Sequence, residues 1–206
     1  WKREIKKWFN DLHMYKGGPA HLPRKLVAGG DRVYVTLSLD GPAMALNAAT
    51  GETVKTYKGT EPADELMHSA GVLFVVRKEN GLVALDAVSG KELWKTDQTP
   101  VRGSIAVDAA RVAFLLGDRI VCLDRNDGKE LWRSKPVPRP EKYHIRFNPI
   151  LILYGEVVLF VGGEKSAGNR DGQGNYSWAV GKNDTLNALS AKTGEVLWTA
   201  PHPLSG

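Results

Sequence analysis

The sequence predicts an all-β fold of repeated, four-stranded antiparallel units, and three observations predict it. Four stretches of the chain align with one another without gaps. Each stretch has the composition of a strand, a glycine turn and a returning strand. Short β-branched and apolar runs stand ahead of every stretch.

The four stretches are residues 45–55, 84–94, 122–132 and 188–198. Their shared pattern is small-Leu-Asp-x-x-Ser/Thr-Gly-Lys/Glu-x-Leu-Trp. Apolar and polar positions alternate before the turn, as in a half-buried strand. Asp86 and Asp124 can accept hydrogen bonds from the backbone that follows them. Gly51, Gly90, Gly128 and Gly194 supply the positive φ that a tight turn needs. The Leu-Trp pair is expected to return the chain to the apolar layer. Trp94, Trp132 and Trp198 recur once per unit, so they read as scaffold that packs between neighbouring sheets, not as an active site.

The turn glycines lie 39, 38 and 66 residues apart. A period of about 40 residues with four strands is that of a propeller blade. Second strands are expected at 32–37, 71–76, 111–116 and 156–161. First strands are expected at 24–28, 103–107 and 148–153, with a weaker match at 65–69. The whole chain, 1–206, therefore reads as one propeller segment of four blades, at about 1–57, 58–96, 97–134 and 135–206. Only residues 1–15 offer a helical candidate, and their place in the repeat argues against it.

These repeats resemble the tryptophan-docking repeat of the PQQ-like β-propellers, a family that includes quinoprotein alcohol dehydrogenases and BamB-like envelope scaffold proteins. Residues 84–94 and 122–132 carry the pattern best. Asn47 and Lys55 depart from it where Asp and Trp are expected, and Cys122 and Ser190 depart more mildly. The resemblance implies a periplasmic or envelope location. It also implies a ring of seven or eight blades, of which four would be about half. Trp1 then corresponds to the tryptophan of a preceding blade, and a second copy or a missing half is expected to complete the ring.

Composition narrows the class. At 42% hydrophobic and 25% charged residues, the chain can bury a core and is not of disordered type. No apolar run is long enough to cross a membrane as a helix. The net charge of +5 is spread over many turns and mixed with Glu, without an aromatic-basic platform, so nucleic acid is not expected as a partner. A single Cys rules out an internal disulfide and reads as a buried thiol.

Three segments break the repeat, and variable loops on rigid scaffolds commonly carry function. The first, 8–21, concentrates Trp8, His13, Tyr15 and His21. The second, 136–144, alternates prolines and ends in Tyr143 and His144. The third, 162–184, holds six glycines with Tyr176 and Trp178. Its Asp171-Gly-x-Gly-Asn175 run suggests oxygen ligation of calcium, but the spacing fits no EF-hand. Gly172 and Gly174 likewise lack the rest of a dinucleotide fingerprint.

A quinone-dependent oxidoreductase of the resembled family would need a stacking Trp, calcium ligands, an Asp base and commonly a vicinal disulfide. A single Cys cannot supply the last, and the others match no motif here. Asp64, Glu65 and His68 form the one tight acid/His group. The sequence therefore favours a non-catalytic scaffold with no cofactor, binding a protein or peptide through its loops. PQQ and calcium belong only to an oxidoreductase alternative, and an accessory domain of a multidomain protein is a further one.

Overall fold

The computed structural model describes residues 1–3, 24–38, 40–139, 149–162 and 185–201. The residues of the first loop, those of the Pro-rich segment beyond Arg139, and nearly all of the third loop lie outside that set. So do the candidate contacts Trp8, His13, Tyr15, His21, Tyr176 and Trp178.

All sixteen elements among the described residues are strands, arranged as four four-stranded sheets in which each strand pairs with the next. The first sheet comprises β1 (Leu26–Gly29), β2 (Arg32–Val35), β3 (Ala43–Asn47) and β4 (Thr53–Tyr57). The second comprises β5 (Ala63–Ser69), β6 (Val72–Arg77), β7 (Gly81–Asp86) and β8 (Glu92–Thr96). The third comprises β9 (Ala106–Val107), β10 (Arg111–Leu116), β11 (Arg119–Asp124) and β12 (Glu130–Arg133). The fourth comprises β13 (Ile150–Tyr154), β14 (Val157–Gly162), β15 (Thr185–Ser190) and β16 (Val196–Pro201). Every pairing is antiparallel.

Alternation explains how two sets of apolar side chains stack on opposite faces of one sheet. In the second sheet, Leu73, Val75, Val83 and Leu85 pack on the first sheet through Tyr34, Ala43, Ala45 and Tyr57. Phe74, Val76, Leu82 and Trp94 on its other face pack on Val112, Phe114, Val121 and Leu123 of the third. Leu115, Ile120, Cys122 and Trp132 then meet Leu151, Val158, Phe160 and Leu189 of the fourth. Among the described residues, apolar clusters join the first sheet to the second, the second to the third and the third to the fourth. None joins the fourth to the first, so the array is open.

Two expectations need correction. The segment matched most weakly, at 65–69, belongs to β5, the longest first strand. By contrast, the strand expected at 103–107 is only two residues long. Gly103 N–H is diverted to the Glu65 carboxylate, and Leu115 N–H is taken by the Ser104 hydroxyl. Those two bonds replace the ladder there. The second correction concerns the Leu-Trp pair. A register shift falls at the same place in all four sheets, opposite Ala45, Ala84, Cys122 and Ala188. This bulge adds one residue to the last strand, so the leucine does not enter the apolar layer beside the tryptophan as expected. Trp94 and Trp132 turn inward, while Leu93, Leu131 and Leu197 are left about half exposed.

Candidate functional site

The repeated turn is the joint between sheets. In the second sheet, Asp86 Oδ1 accepts from Val88 N–H, Ser89 N–H and the Ser89 hydroxyl. These donors hold its carboxyl below the usual carboxylate range, the Ser89 backbone bond first. Asp124 Oδ1 accepts from Asn126 N–H at 2.7 Å, and Asn47 and Ser190 use their own oxygens in the same way. Gly51, Gly90, Gly128 and Gly194 all have φ of 73–74°. Each turn carries its Asp-type residue, then a residue whose N–H is anchored in its own sheet. Ala48, Ala87, Arg125 and Ala191 donate to Asp31, Gly71, Ala110 and Glu156 carbonyls.

The carbonyl of that same residue accepts the indole of the preceding unit. Trp94 Nε1 donates to Arg125 O, and Trp132 Nε1 donates to Ala191 O at 2.8 Å. Trp1 Nε1 donates to Ala48 O at 2.9 Å. Each ring lies against the turn glycine three residues further on. A Cβ on Gly128 would stand 2.6 Å from Trp94 Cε3, and Cβ atoms on Gly51 and Gly194 would collide with Trp1 and Trp132. Glycine is therefore needed twice here, for the positive φ and for the flat contact.

The first sheet has Lys55 where the others have Trp. Its stem lies over Gly90. The Ala87 carbonyl, left without an indole, accepts instead from the Tyr57 hydroxyl and from Arg32 Nη1 at 3.1 Å. Burial pushes the Tyr57 phenol up to about 12, so it remains a donor at neutral pH. The sequence signal for this replacement is a Tyr two residues beyond the missing Trp.

A charged cluster ties the first strands together. Arg102 of the third unit makes two bonds at 3.0 Å to the Asp64 carboxylate of the second. Lys25 of the first unit donates to Ala63 O and stands 3.8 Å from Asp64. Glu65 accepts from Gly103 N–H at 2.8 Å, and its other oxygen, 3.9 Å from Arg24 Nη2, has no hydrogen-bond partner among the described residues. The acid/His group suggested by the sequence is thus not drawn to one point. Asp64 and Glu65 face different partners, and His68 stacks on Tyr34 with centroids 4.9 Å apart.

Glu65 has a testable pH signature. Its side chain is 1% exposed, and burial raises its pKa above the ordinary carboxylate value. Folding therefore favours the protonated acid. Its favourable contribution is complete below the unfolded-state pKa and is lost as pH rises through the folded-state value. Glu65→Gln keeps an acceptor for Gly103 N–H and removes the buried charge. The variant is expected to gain stability on the wild type as pH rises from about 4 to 7. Denaturation curves over that range check it, and a variant that loses stability relative to the wild type as pH rises would contradict it.

Cys122 is fully buried, with its thiol pushed up to about 12 by desolvation. Trp94 and Trp132 each lie on the glycine turn of the sheet that follows. Among the described residues, no group of three His, Cys, Asp or Glu side chains is placed to hold a metal ion.

Four antiparallel meanders, joined face to face at repeated turns, make this a β-propeller protein. The family described as outer membrane protein assembly factor BamB matches residues 1–115 and 117–205. The chain belongs to that family. Among solved structures it is similar to the quinohemoprotein alcohol dehydrogenase of Comamonas testosteroni, with a TM-score of 0.61 and 18% identity over 88% of this chain and 35% of that one. A quinohemoprotein alcohol dehydrogenase of Pseudomonas putida gives 0.59 and 19% over 88% and 34%. The computationally designed Ika8 protein gives 0.54 and 14% over 86% and 61%. At these identities the likeness is one of fold, and the chain spans about a third of the length of the two dehydrogenases. No curated protein sequence matches it. No helix among the described residues is long and apolar enough to cross a membrane.

Proposed function

We propose that the chain is a non-catalytic binding scaffold of the cell envelope, located in the periplasm, whose partners are a protein or peptide and a second copy of itself. The observation that carries this reading is the use made of the charged side chains. Arg102 and Asp64, Glu65 and the Gly103 amide, and Arg111 with Gly155 O and Glu156 all bridge one sheet to the next. These groups are spent on rigidity, which is what a platform for variable loops requires. Membership of a family described as an assembly factor agrees with it. No cofactor is part of this reading. Aromatic residues outside the repeat supply the contacts: Trp8, His13, Tyr15, His21, Tyr176 and Trp178.

The test exploits the register of the fourth sheet. Gly162 of β14 pairs with Thr185 of β15, so residues 163–184 leave and rejoin the ladder at one point. The corresponding connection between β10 and β11 is Gly117-Asp118. Replacing 163–184 by Gly-Asp is expected to leave the unfolding free energy within about 0.5 kcal/mol. Affinity for a partner captured with the intact chain and then purified is expected to fall at least about tenfold, or about 1.4 kcal/mol. An unfolded variant, or one that keeps full affinity, would remove the support for this loop as the contact.

A further inference from the structure

We infer that Asn80 is a site of spontaneous covalent modification, at which the folded chain converts the side-chain amide to a carboxylate through attack by the Gly81 nitrogen. The inference goes beyond the scaffold reading and does not depend on it. Asn80 is the one asparagine in the sequence that is followed by glycine. It ends the exposed hairpin Lys78-Glu79-Asn80 between β6 and β7, where Glu79 is held at a φ of 63°. Glycine leaves the attacking nitrogen without a Cβ beside it.

The hairpin also activates that nitrogen. Arg77 Nη2 donates to the Asn80 carbonyl, the oxygen of the peptide that joins Asn80 to Gly81. Arg77 Nε is buried with no hydrogen-bond partner among the described residues, so this side of the guanidinium is held out of water. Removing the Gly81 proton puts negative charge on the Asn80 oxygen, and a cation within hydrogen-bond reach stabilises it there. Two bonds restrain the reaction. Gly81 N–H donates to the Thr99 hydroxyl at 2.9 Å, and Asn80 Nδ2 donates to Lys78 O at 3.2 Å. Attack begins when both open.

In the first step hydroxide takes the Gly81 proton, and the nitrogen forms a bond to Asn80 Cγ. The Cγ–Nδ2 bond breaks, and the leaving nitrogen takes a proton from water to depart as ammonia. Water then opens the cyclic imide at one of its two carbonyls. The product is aspartate, or isoaspartate with the main chain running through Cβ. One water is consumed, one ammonia is released, and nothing is oxidised or reduced. Isoaspartate lengthens the main chain by a methylene just ahead of β7. Gly81 fits there so closely that a Cβ would collide with Thr96 O. Its N–H holds Thr99, in the connection that carries Arg102 to Asp64 and Gly103 to Glu65. Conversion therefore loosens the link between the second and third sheets.

The test is incubation of the whole folded chain in mildly alkaline buffer, with peptide mapping by mass spectrometry to follow the amide-to-acid mass gain at each asparagine. Asn80 is expected to convert at least about tenfold faster than Asn47 and Asn126, which also lie in turns but precede Ala48 and Asp127. Arg77→Met is expected to slow Asn80 conversion at least about tenfold, the loss of one charged hydrogen bond to the developing anion. Loss of the fold would free the hairpin and speed the reaction, so slowing cannot come from a misfolded variant. Thr99→Val, with an unchanged circular dichroism spectrum, is expected to speed it about fivefold by releasing Gly81 N–H. Conversion of Asn80 no faster than that of Asn47 and Asn126 would overturn the inference. So would an Arg77→Met chain that converts as fast as the wild type.

Discussion

Trp94→Ala is expected to lose about 3–5 kcal/mol of folding free energy, the usual range for deleting a buried aromatic side chain. Trp94 is 6% exposed and packs in the cluster shared by the second and third sheets, with its ring tilted on Phe74 at 6.0 Å. Its truncation also removes the donor to Arg125 O. Trp94→Phe separates the two contributions. It keeps most of the apolar contact and loses the hydrogen bond, for an expected additional cost of about 1 kcal/mol from that bond. The joint makes a sharper prediction still. Gly128→Ala suffers both the left-handed backbone, at φ 73°, and a Cβ 2.6 Å from the Trp94 ring. In a Trp94→Ala background only the backbone cost of about 1–2 kcal/mol remains. The double-mutant cycle, read from denaturant midpoints, should therefore show a coupling of at least about 1 kcal/mol. Strict additivity would mean that the ring and the glycine do not bear on each other.

The turns were legible in the sequence because their chemistry is local. An Asp that bonds amides two and three residues on, followed by a glycine of positive φ, leaves its mark within five residues, as at Asp86 and Gly90. The strands were legible because one face and the other both carry apolar side chains at a regular period. What the sequence hid lies at long range or in a break of alternation. The half exposure of Leu93 and Leu131 follows from a bulge, which changes register without changing composition. Glu65 gave little sign of its contact with Gly103, because the partner lies in the next unit, 38 residues away. Tyr57 takes over the carbonyl that a missing indole would have bonded, and only the pairing of β4 with the turn at Ala87 brings them together. Arg125 stands where the three equivalent positions are Ala48, Ala87 and Ala191, and its partners Ser69 O and Asp108 O lie too far away in sequence for the repeat pattern to mark them. The aromatic loop residues from Trp8 to His21 and at Tyr176 and Trp178 lie outside the described residues, and their role stands as proposed.

Arg125→Met is expected to destabilise by about 2–4 kcal/mol, although methionine fills much of the same volume. Arg125 is 6% exposed and its turn joins two sheets from both ends. Its backbone oxygen receives Trp94, while its guanidinium reaches back to the second sheet. Nη1 donates to Asp108 O at 2.9 Å, Nη2 donates to Ser69 O, and the cation stands 5.6 Å from the centre of the Phe74 ring. Hydrogen bonds from a charged donor contribute about 1.5–3 kcal/mol each, and the cation–π contact about 0.5–2. Desolvation of the guanidinium offsets part of this, which sets the net well below the sum. Arg125→Lys discriminates between charge and geometry. An ammonium is a point donor and cannot span the Ser69 and Asp108 carbonyls as a planar fork does. Lysine should therefore recover less than half of the stability lost in the methionine variant. If lysine restored the wild-type midpoint, positive charge alone would account for the site. The two-carbonyl clamp would then have no energetic role in holding the second sheet to the third.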